Sequence, residues 1–275
     1  MRELSPQVFA ILSALVEERV GLHYGPDEIG SFSEKLGLRM AEAGFESALD
    51  YYYFLRYDDP KELEFGALVD ALVIGETYFF READALSAAI EHIIAPTIAA
   101  KGSARVWHAA CSTGEEPLSL AMLLADAGLL ARTSILATDV SERALELARS
   151  GDRGPRSLRR IDPCVSRAKN RWLARDGDRV KVDRSVLRAV QFQRVNLLDT
   201  DAVAALGTFD VVFCRNVLIY FRDDVVRRVA ANLAYALAPE GRLAIGASES
   251  LLRFGTLFRG EERGGVFFYR REEPQ

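Results

Sequence analysis

The N-terminal quarter of the chain carries apolar residues at helical spacing and few strand-forming runs. Val8, Phe9, Ile11, Leu12, Leu15 and Val16 recur every three or four positions after Ser5–Pro6, which predicts a helix that starts on a serine cap. Gly21–Pro26 interrupts the pattern. Further helices are expected over 31–43, closed by Gly44, over 48–55, and after Pro60, where Leu63, Phe65, Leu68, Val69 and Leu72 repeat. From Arg105 the texture changes. R-V-W-H-A-A, S-I-L-A-T-D, A-V-Q-F-Q-R-V, F-D-V-V-F-C-R and R-L-A-I-G-A read as buried strands, with helices expected at about 113–127, 142–150 and 223–237. T-L-F-R-G and V-F-F-Y-R-R are expected to pair antiparallel near the C-terminus. Strands alternating with helices predict an α/β fold with a mostly parallel sheet, whose ligands sit beyond the carboxyl ends of the strands.

This pattern divides the chain into an all-helical N-terminal domain over 1–75, a linker and connecting helix over 76–104, and an α/β domain over 105–275. The last contains an insert at 151–183, rich in arginine: Arg153, Arg156, Arg159, Arg160, Arg167, Arg171 and Arg175. D-G-D-R-V-K-V-D within it reads as a small hairpin. A crossover this long is uncommon unless it has structure or function of its own. A solvated flap and a partner-binding surface both fit.

Composition narrows the classes. Hydrophobic content of 49% and charged content of 27% over 275 residues are ordinary for a packed globular protein. A net charge of −5 argues against nucleic acid as the principal partner. Cys111, Cys164 and Cys214, with His23, His92 and His108, form no metal-ligand spacing, so no metal is expected. So few cysteines, in odd number, fit a reducing cytoplasm. M-R-E-L-S-P-Q places charges where a signal peptide has its apolar stretch, and no apolar run is long enough to span a membrane. A cytoplasmic monomer without membrane insertion is expected.

The chemistry concentrates at the strand ends. In V-W-H-A-A-C-S-T-G-E-E-P-L-S-L-A-M a single glycine and two glutamates occupy the turn after the first strand. Ser112-x-x-Glu115 and Thr113-x-x-Glu116 both match a capping box, which explains the acids structurally. It does not explain the missing glycines. A dinucleotide pyrophosphate needs close backbone approach and no adjacent carboxylate, so a hydride-transferring dehydrogenase is disfavoured. A ligand with a cationic amino group and a ribose diol, such as S-adenosylmethionine, would welcome Glu115. Asp139 ends the second strand 25 residues after Gly114, the usual place for a ribose-binding acid. Capping the next helix is its alternative role, in competition with Ser141. Asn196-Leu197 and Arg215-Asn216 end two more strands, with Tyr220 one helical turn beyond Asn216. In G-E-T-Y-F-F-R-E, Thr77 and Arg81 lie one turn apart, and Arg81 beside so much aromatic surface is a candidate carboxylate clamp.

Taken in order, G-L-H-Y-G-P, E-T-Y-F-F-R, C-S-T-G-E-E-P-L-S-L-A-M, A-T-D-V-S, V-N-L-L, F-D-V-V-F-C-R-N-V-L-I-Y-F and G-A-S-E-S-L resemble the chemotaxis receptor methyltransferases, which move a methyl group from S-adenosylmethionine to receptor glutamates. The resemblance implies a Rossmann-like methyltransferase sheet, a helical N-terminal domain and a small β-subdomain over the insert. It implies that Thr77, Arg81, Gly114, Glu115, Asp139, Asn196, Leu197, Asn216 and Val217 bind the cofactor, and that Arg81 and Tyr220 lie at the reacting methyl. The partner would be the cytoplasmic domain of a methyl-accepting chemoreceptor, docked through Lys35 and Arg39 and, on the insert, Arg156 and Arg159. Two features depart from the family. Gly75 stands where the family has Asn in N-x-T-x-F-F-R, and the second helix mixes Glu34 and Glu42 with its two cations. A different carboxylate substrate, or a cofactor-binding module without turnover, are the alternative readings.

Overall fold

The computed structural model describes residues 4–159, 165–255 and 257–272; Arg160, Cys164 and Thr256 lie outside them. Helix α1, Pro6–Val20, starts where Ser5 accepts a hydrogen bond from the Val8 N–H and stops at Gly21 in the left-handed region, φ 81°. Gly44 ends α2, Ile29–Ala43, in the same way, and Ser47 caps α3, Ala48–Tyr53. The chain continues through a widened turn, Phe54–Asp58, to α4, Leu63–Leu72. Phe9, Leu12, Phe32, Leu36, Tyr51, Leu55, Phe65 and Leu68 form the apolar centre of these helices. Next come α5, Ala83–Ala89, and α6, Ala95–Lys101, joined by the widened turn Ile90–Ile94. Pro96, in the first turn of α6, has no N–H to offer, a recognised cause of such a break in the ladder.

Among the described residues ten strands follow: β1 Ala104–Ala109, β2 Thr133–Asp139, β3 Asp152–Arg153, β4 Leu173–Asp176, β5 Arg179–Val182, β6 Val190–Arg194, β7 Phe209–Cys214, β8 Leu237–Ile245, β9 Phe258–Arg263 and β10 Val266–Arg271. Interleaved with them are α7 Glu115–Asp126, α8 Glu142–Ser150, α9 Ser166–Trp172, α10 Arg184–Arg188, α11 Thr200–Ala205 and α12 Asp223–Tyr235. The main sheet has the order β6-β2-β1-β7-β8-β10-β9. Its first five strands run parallel, and β10 is antiparallel to both neighbours. This is the Rossmann-like arrangement expected from the alternating pattern.

Alternate residues on each strand feed opposite faces, as a pleated sheet requires. Val106, Ile135, Val211 and Phe213 pack under α5, α6 and α7, while Trp107, Val212, Cys214 and Leu243 pack under α12. Because the chain leaves β1 for β2 on one side and reaches β7 on the other, the strand order reverses at β1, and a crevice opens at the carboxyl ends there.

The insert does contain the expected hairpin, β4 and β5, extended by β3 into a three-stranded sheet. Helices α9, α10 and α11 were not expected; each is seven residues or fewer, too short for its periodicity to stand out. The capping boxes at Ser112 and Thr113 do not form. Gly114 is the residue before α7, with φ 88° and no side-chain cap. A Cβ there would stand 3.0 Å from both Ala148 Cβ and Phe192 Cε1, a crowded contact that adds to the left-handed conformation in favouring glycine.

Candidate active site

A cavity of about 300 Å³ occupies the crevice. The ends of β1, β2, β6 and β7 form its wall, and the helical unit contributes Val20, Leu22 and the 73–77 segment. Leu22 bridges to Phe221, and the His23 N–H donates to the Tyr220 carbonyl at 2.9 Å, so the G-L-H-Y loop is fastened to the β7 loop. A Cβ on Gly21 would meet Val225 Cγ1 at 2.8 Å, which explains the glycine at this contact.

The cavity is bounded by uncommon backbone. Ala110, Ser112 and Asn216 line it at φ 58°, 51° and 59°, and Phe80 and Glu82 flank Arg81 at 61° and 49°. Non-glycine residues at such angles persist only where their surroundings hold them. Asp139 holds the first turn: its Oδ2 accepts the Ser112 N–H at 2.7 Å and its Oδ1 the Ser141 N–H at 2.9 Å. Glu249 holds the second, accepting the N–H groups of Asn216 and Leu218 at 2.8 Å and of Gly246 at 2.7 Å. Glu249 belongs to the G-A-S-E-S-L motif, to which the sequence assigned no role.

Of the expected cofactor and catalytic residues, Thr77, Arg81, Asp139, Asn196, Leu197, Asn216, Val217 and Tyr220 all border this one cavity. Gly114 and Glu115 do not. Consecutive residues on a helix point about 100° apart, and in the first turn of α7 it is Glu116 that faces the cavity. Glu115, 1% exposed, turns the other way toward Arg153, Ser157 and Thr113. Two Ser/Thr-x-x-Glu pairs in one stretch were the available signal, and they could not tell which acid faces the ligand. Asp139 does not cap α8; Ser141 does, accepting from the Ala144 N–H at 3.0 Å. The Asn196 amide donates to the Arg19 carbonyl at 2.6 Å, which joins the end of α1 to the β6 loop.

Lys35 and Arg39 both make polar contacts inside the helical unit. Lys35 is half-buried and donates to the Leu72 carbonyl at 2.9 Å, and burial pulls its ammonium below the usual lysine range. Arg39 grips Glu64 through Nε and Nη2, at 2.7 and 2.6 Å, while Tyr51 donates to the same carboxylate. Arg156 is exposed, and Arg159 pairs with Glu76 at 2.6 Å on the cavity rim.

A buried charge network underlies the site. Arg215 bridges Glu116 and Glu82, each at 2.6 Å, and also reaches the Arg81 carbonyl at 3.3 and 3.4 Å. His108 lies 2.8 Å from the other oxygen of Glu116 and stacks on Phe213. Burial opposes ionisation of Glu116, but Arg215 and His108 outweigh it and hold the carboxyl below its ordinary value. Asp139 shifts the other way: burial raises it more than the N–H groups of Ser141, Ser112 and Val140 lower it. Burial pushes the Cys111 and Cys214 thiols well up, so neither is an activated nucleophile. Tyr220 is also raised, chiefly by burial with Arg81 opposing, so its hydroxyl keeps its proton at neutral pH.

A family model described as "CheR methyltransferase, SAM binding domain" matches residues 75–263. The chain belongs to the CheR methyltransferase family. It is 34% identical over 255 residues to the chemotaxis protein methyltransferase of Vibrio parahaemolyticus, covering 90% of each chain. It is 32% identical over 252 residues to chemotaxis protein methyltransferase 1 of Pseudomonas aeruginosa, covering 88% of this chain and 90% of the relative. A third relative, named "Probable biofilm formation methyltransferase WspC" in Pseudomonas aeruginosa, is 32% identical over 244 residues, 86% of this chain and 56% of that one. As a CheR methyltransferase, the chain is an enzyme with an S-adenosylmethionine-binding domain. No described helix is long and apolar enough to cross a membrane.

The crevice fits that cofactor. Asp139 accepts backbone N–H groups from Ser112, Ser141 and Val140, and the roughly four lone-pair sites of a carboxylate leave it one for a ligand hydroxyl. Ser112 Oγ borders the cavity, buried and without a hydrogen-bond partner among the described residues. Beside it Gly75 leaves space: a Cβ there would stand 3.5 Å from that hydroxyl.

Proposed function

We propose that the protein methylates glutamate side chains on the cytoplasmic domain of a chemoreceptor, forming glutamate methyl esters and S-adenosylhomocysteine. The observation that carries this reading is Arg81. It borders the cavity and donates to the Glu76 carbonyl at 3.1 Å, yet it forms no ion pair among the described residues. An unpaired guanidinium on the wall of a methyl-donor cavity suits an incoming carboxylate. Thr77, Asp139, Asn216 and the apolar wall of Leu197 and Val217 would hold the cofactor, with the diol on Asp139.

Bound S-adenosylmethionine supplies a methyl group on a positive sulfur. A glutamate side chain ordinarily titrates at about 4.3, so it arrives already ionised and needs no general base. In keeping with this, no histidine lines the cavity among the described residues. Arg81 holds the non-attacking oxygen of the carboxylate, and the Tyr220 hydroxyl orients the attacking one. The helical unit closes over the crevice through Leu22 and the 73–77 segment and removes water from the carboxylate. Catalysis is therefore positioning in a water-poor site. With Lys35 and Arg39 engaged inside the helical unit, the receptor would meet the rim of the cavity rather than a basic face of α2.

Arg81→Ala tests the assignment. It should lower turnover far more than it weakens binding of S-adenosylhomocysteine in calorimetry. Equal losses in both would make Arg81 a cofactor ligand only.

A further inference from the structure

The root of the insert is fastened into the active site at three points. Arg153, on β3 and 4% exposed, donates through its guanidinium to the Thr113 carbonyl in the turn after β1 and to the Leu147 carbonyl at 2.5 Å. Its Nε lies 3.2 Å from Glu115 Oε1. Glu115 accepts from the hydroxyls of Ser157, at 2.7 Å, and Thr113, at 2.6 Å. The Ser157 carbonyl then takes the Phe79 N–H at 2.8 Å, two residues before Arg81. Arg159 adds the surface tie to Glu76.

A docking platform would need none of this. A buried ion pair is costly to desolvate, and a well-packed apolar pair in its place is often no less stable, so stability gives little reason for one here. What the pair does is geometric. It fixes the strained turn that carries Ser112 and, through Ser157, the segment that carries Thr77 and Arg81. We infer that Arg153 and Glu115 are positioning residues for methyl transfer, forming with Ser157 a strut through which the insert sets the spacing of the two loops that face the cofactor and the carboxylate. This rests on the cavity being the methyl-transfer site. The insert is then part of the catalytic frame, and a partner seated on it acts on the same strut.

The decisive variant is Glu115→Met with Arg153→Met, which removes the strut without leaving a lone buried charge. We expect a folded protein that binds S-adenosylhomocysteine about tenfold more weakly and turns over about a hundredfold more slowly, as small displacements of reacting groups cause. Hydrogen exchange should rise in residues 75–82 and 110–116 and stay unchanged in β7 and β8. Wild-type affinity and turnover in the folded double variant, or exchange that rises evenly across the sheet, would overturn the inference. Should the double variant not fold, Ser157→Ala decides: a smaller loss confined to the same two segments supports the strut, and an unchanged enzyme removes it. Binding of S-adenosylhomocysteine to the wild type is read separately. Its absence would refute the reading of the cavity, while the exchange pattern would still report on the strut.

Discussion

The turns after β1 and β7 face each other across one cavity and solve the same problem differently. Each holds a non-glycine residue at positive φ, Ser112 in one and Asn216 in the other, and each offers its N–H to a carboxylate from another segment. After β7 the holder is Glu249, from the loop that follows the neighbouring strand β8, and it takes three N–H groups alone. Gly246 permits this approach, since a Cβ there would sit 2.6 Å from Asn216 Nδ2 and 2.7 Å from Glu249 Oε2. That half of the site is a product of the parallel sheet. After β1, Asp139 supplies one acceptor, Glu115 at the start of α7 takes the Thr113 hydroxyl, and Arg153 of the insert donates to the Thr113 carbonyl. This half depends on a segment outside the sheet.

The sharpest way to break the comparison is Glu249→Ala. Three N–H groups would lose their acceptor together, which should cost about 3 kcal/mol in chemical denaturation and abolish methylation. A loss below 1 kcal/mol, roughly that of a single replaceable bond, would mean the β7 turn does not depend on Glu249. Asp139→Asn acts on the ligand side of the other turn. S-adenosylhomocysteine binding should weaken by about 2 kcal/mol, roughly thirtyfold, measured by calorimetry.

Asp139 and Glu116 also answer pH in opposite directions. The folded protein holds the Asp139 proton above its ordinary value of 3.8, so the contribution of this group to stability declines as pH rises through that window. Glu116 is depressed, so its contribution is present above its ordinary value of 4.5 and is lost as pH falls through the lower folded value. A diol or cation on Asp139 favours its ionised form. Cofactor-product affinity should therefore fall as pH drops into the raised titration range of Asp139, with proton release on binding there, and Asp139→Asn should abolish that release.

Arg39→Ala is a milder test. It strips Glu64 of its cationic partner, leaving the Tyr51 hydroxyl, and should cost about 1–2 kcal/mol of stability while leaving turnover unchanged in the remaining folded enzyme. A selective rise in KM for receptor would instead place Arg39 at the docking surface. Gly75→Asn should change least. Its Cβ meets Ser112 Oγ at an ordinary 3.5 Å, so stability should shift by no more than about 0.5 kcal/mol. The amide would give that hydroxyl a partner and tighten S-adenosylhomocysteine binding by a few fold.

The strands and long helices were legible because their apolar periods are long and their caps ordinary, as at Ser5, Gly21 and Gly44. The strand-end residues were legible for a related reason. Asp139, Asn216 and Tyr220 are polar groups closing apolar runs, where an α/β sheet places its ligand. Which of Glu115 and Glu116 faces the cavity was not legible, because it turns on the phase of α7, set by Gly114 rather than by the expected serine or threonine cap. Arg153 looked like one more arginine in a charged insert, and only the fold carries it 40 residues back to Thr113. Glu249 was hidden likewise, its partner Asn216 lying 33 residues away.

The most direct test of the account is transfer itself. Purified protein is mixed with methyl-labelled S-adenosylmethionine and membranes containing chemoreceptors, and the label released by mild base is collected as methanol. The account predicts base-labile label on a receptor-sized band, lost in Arg81→Ala while S-adenosylhomocysteine binding persists. Absence of label on receptors, with cofactor binding intact and methyl esters appearing on another protein, would contradict it.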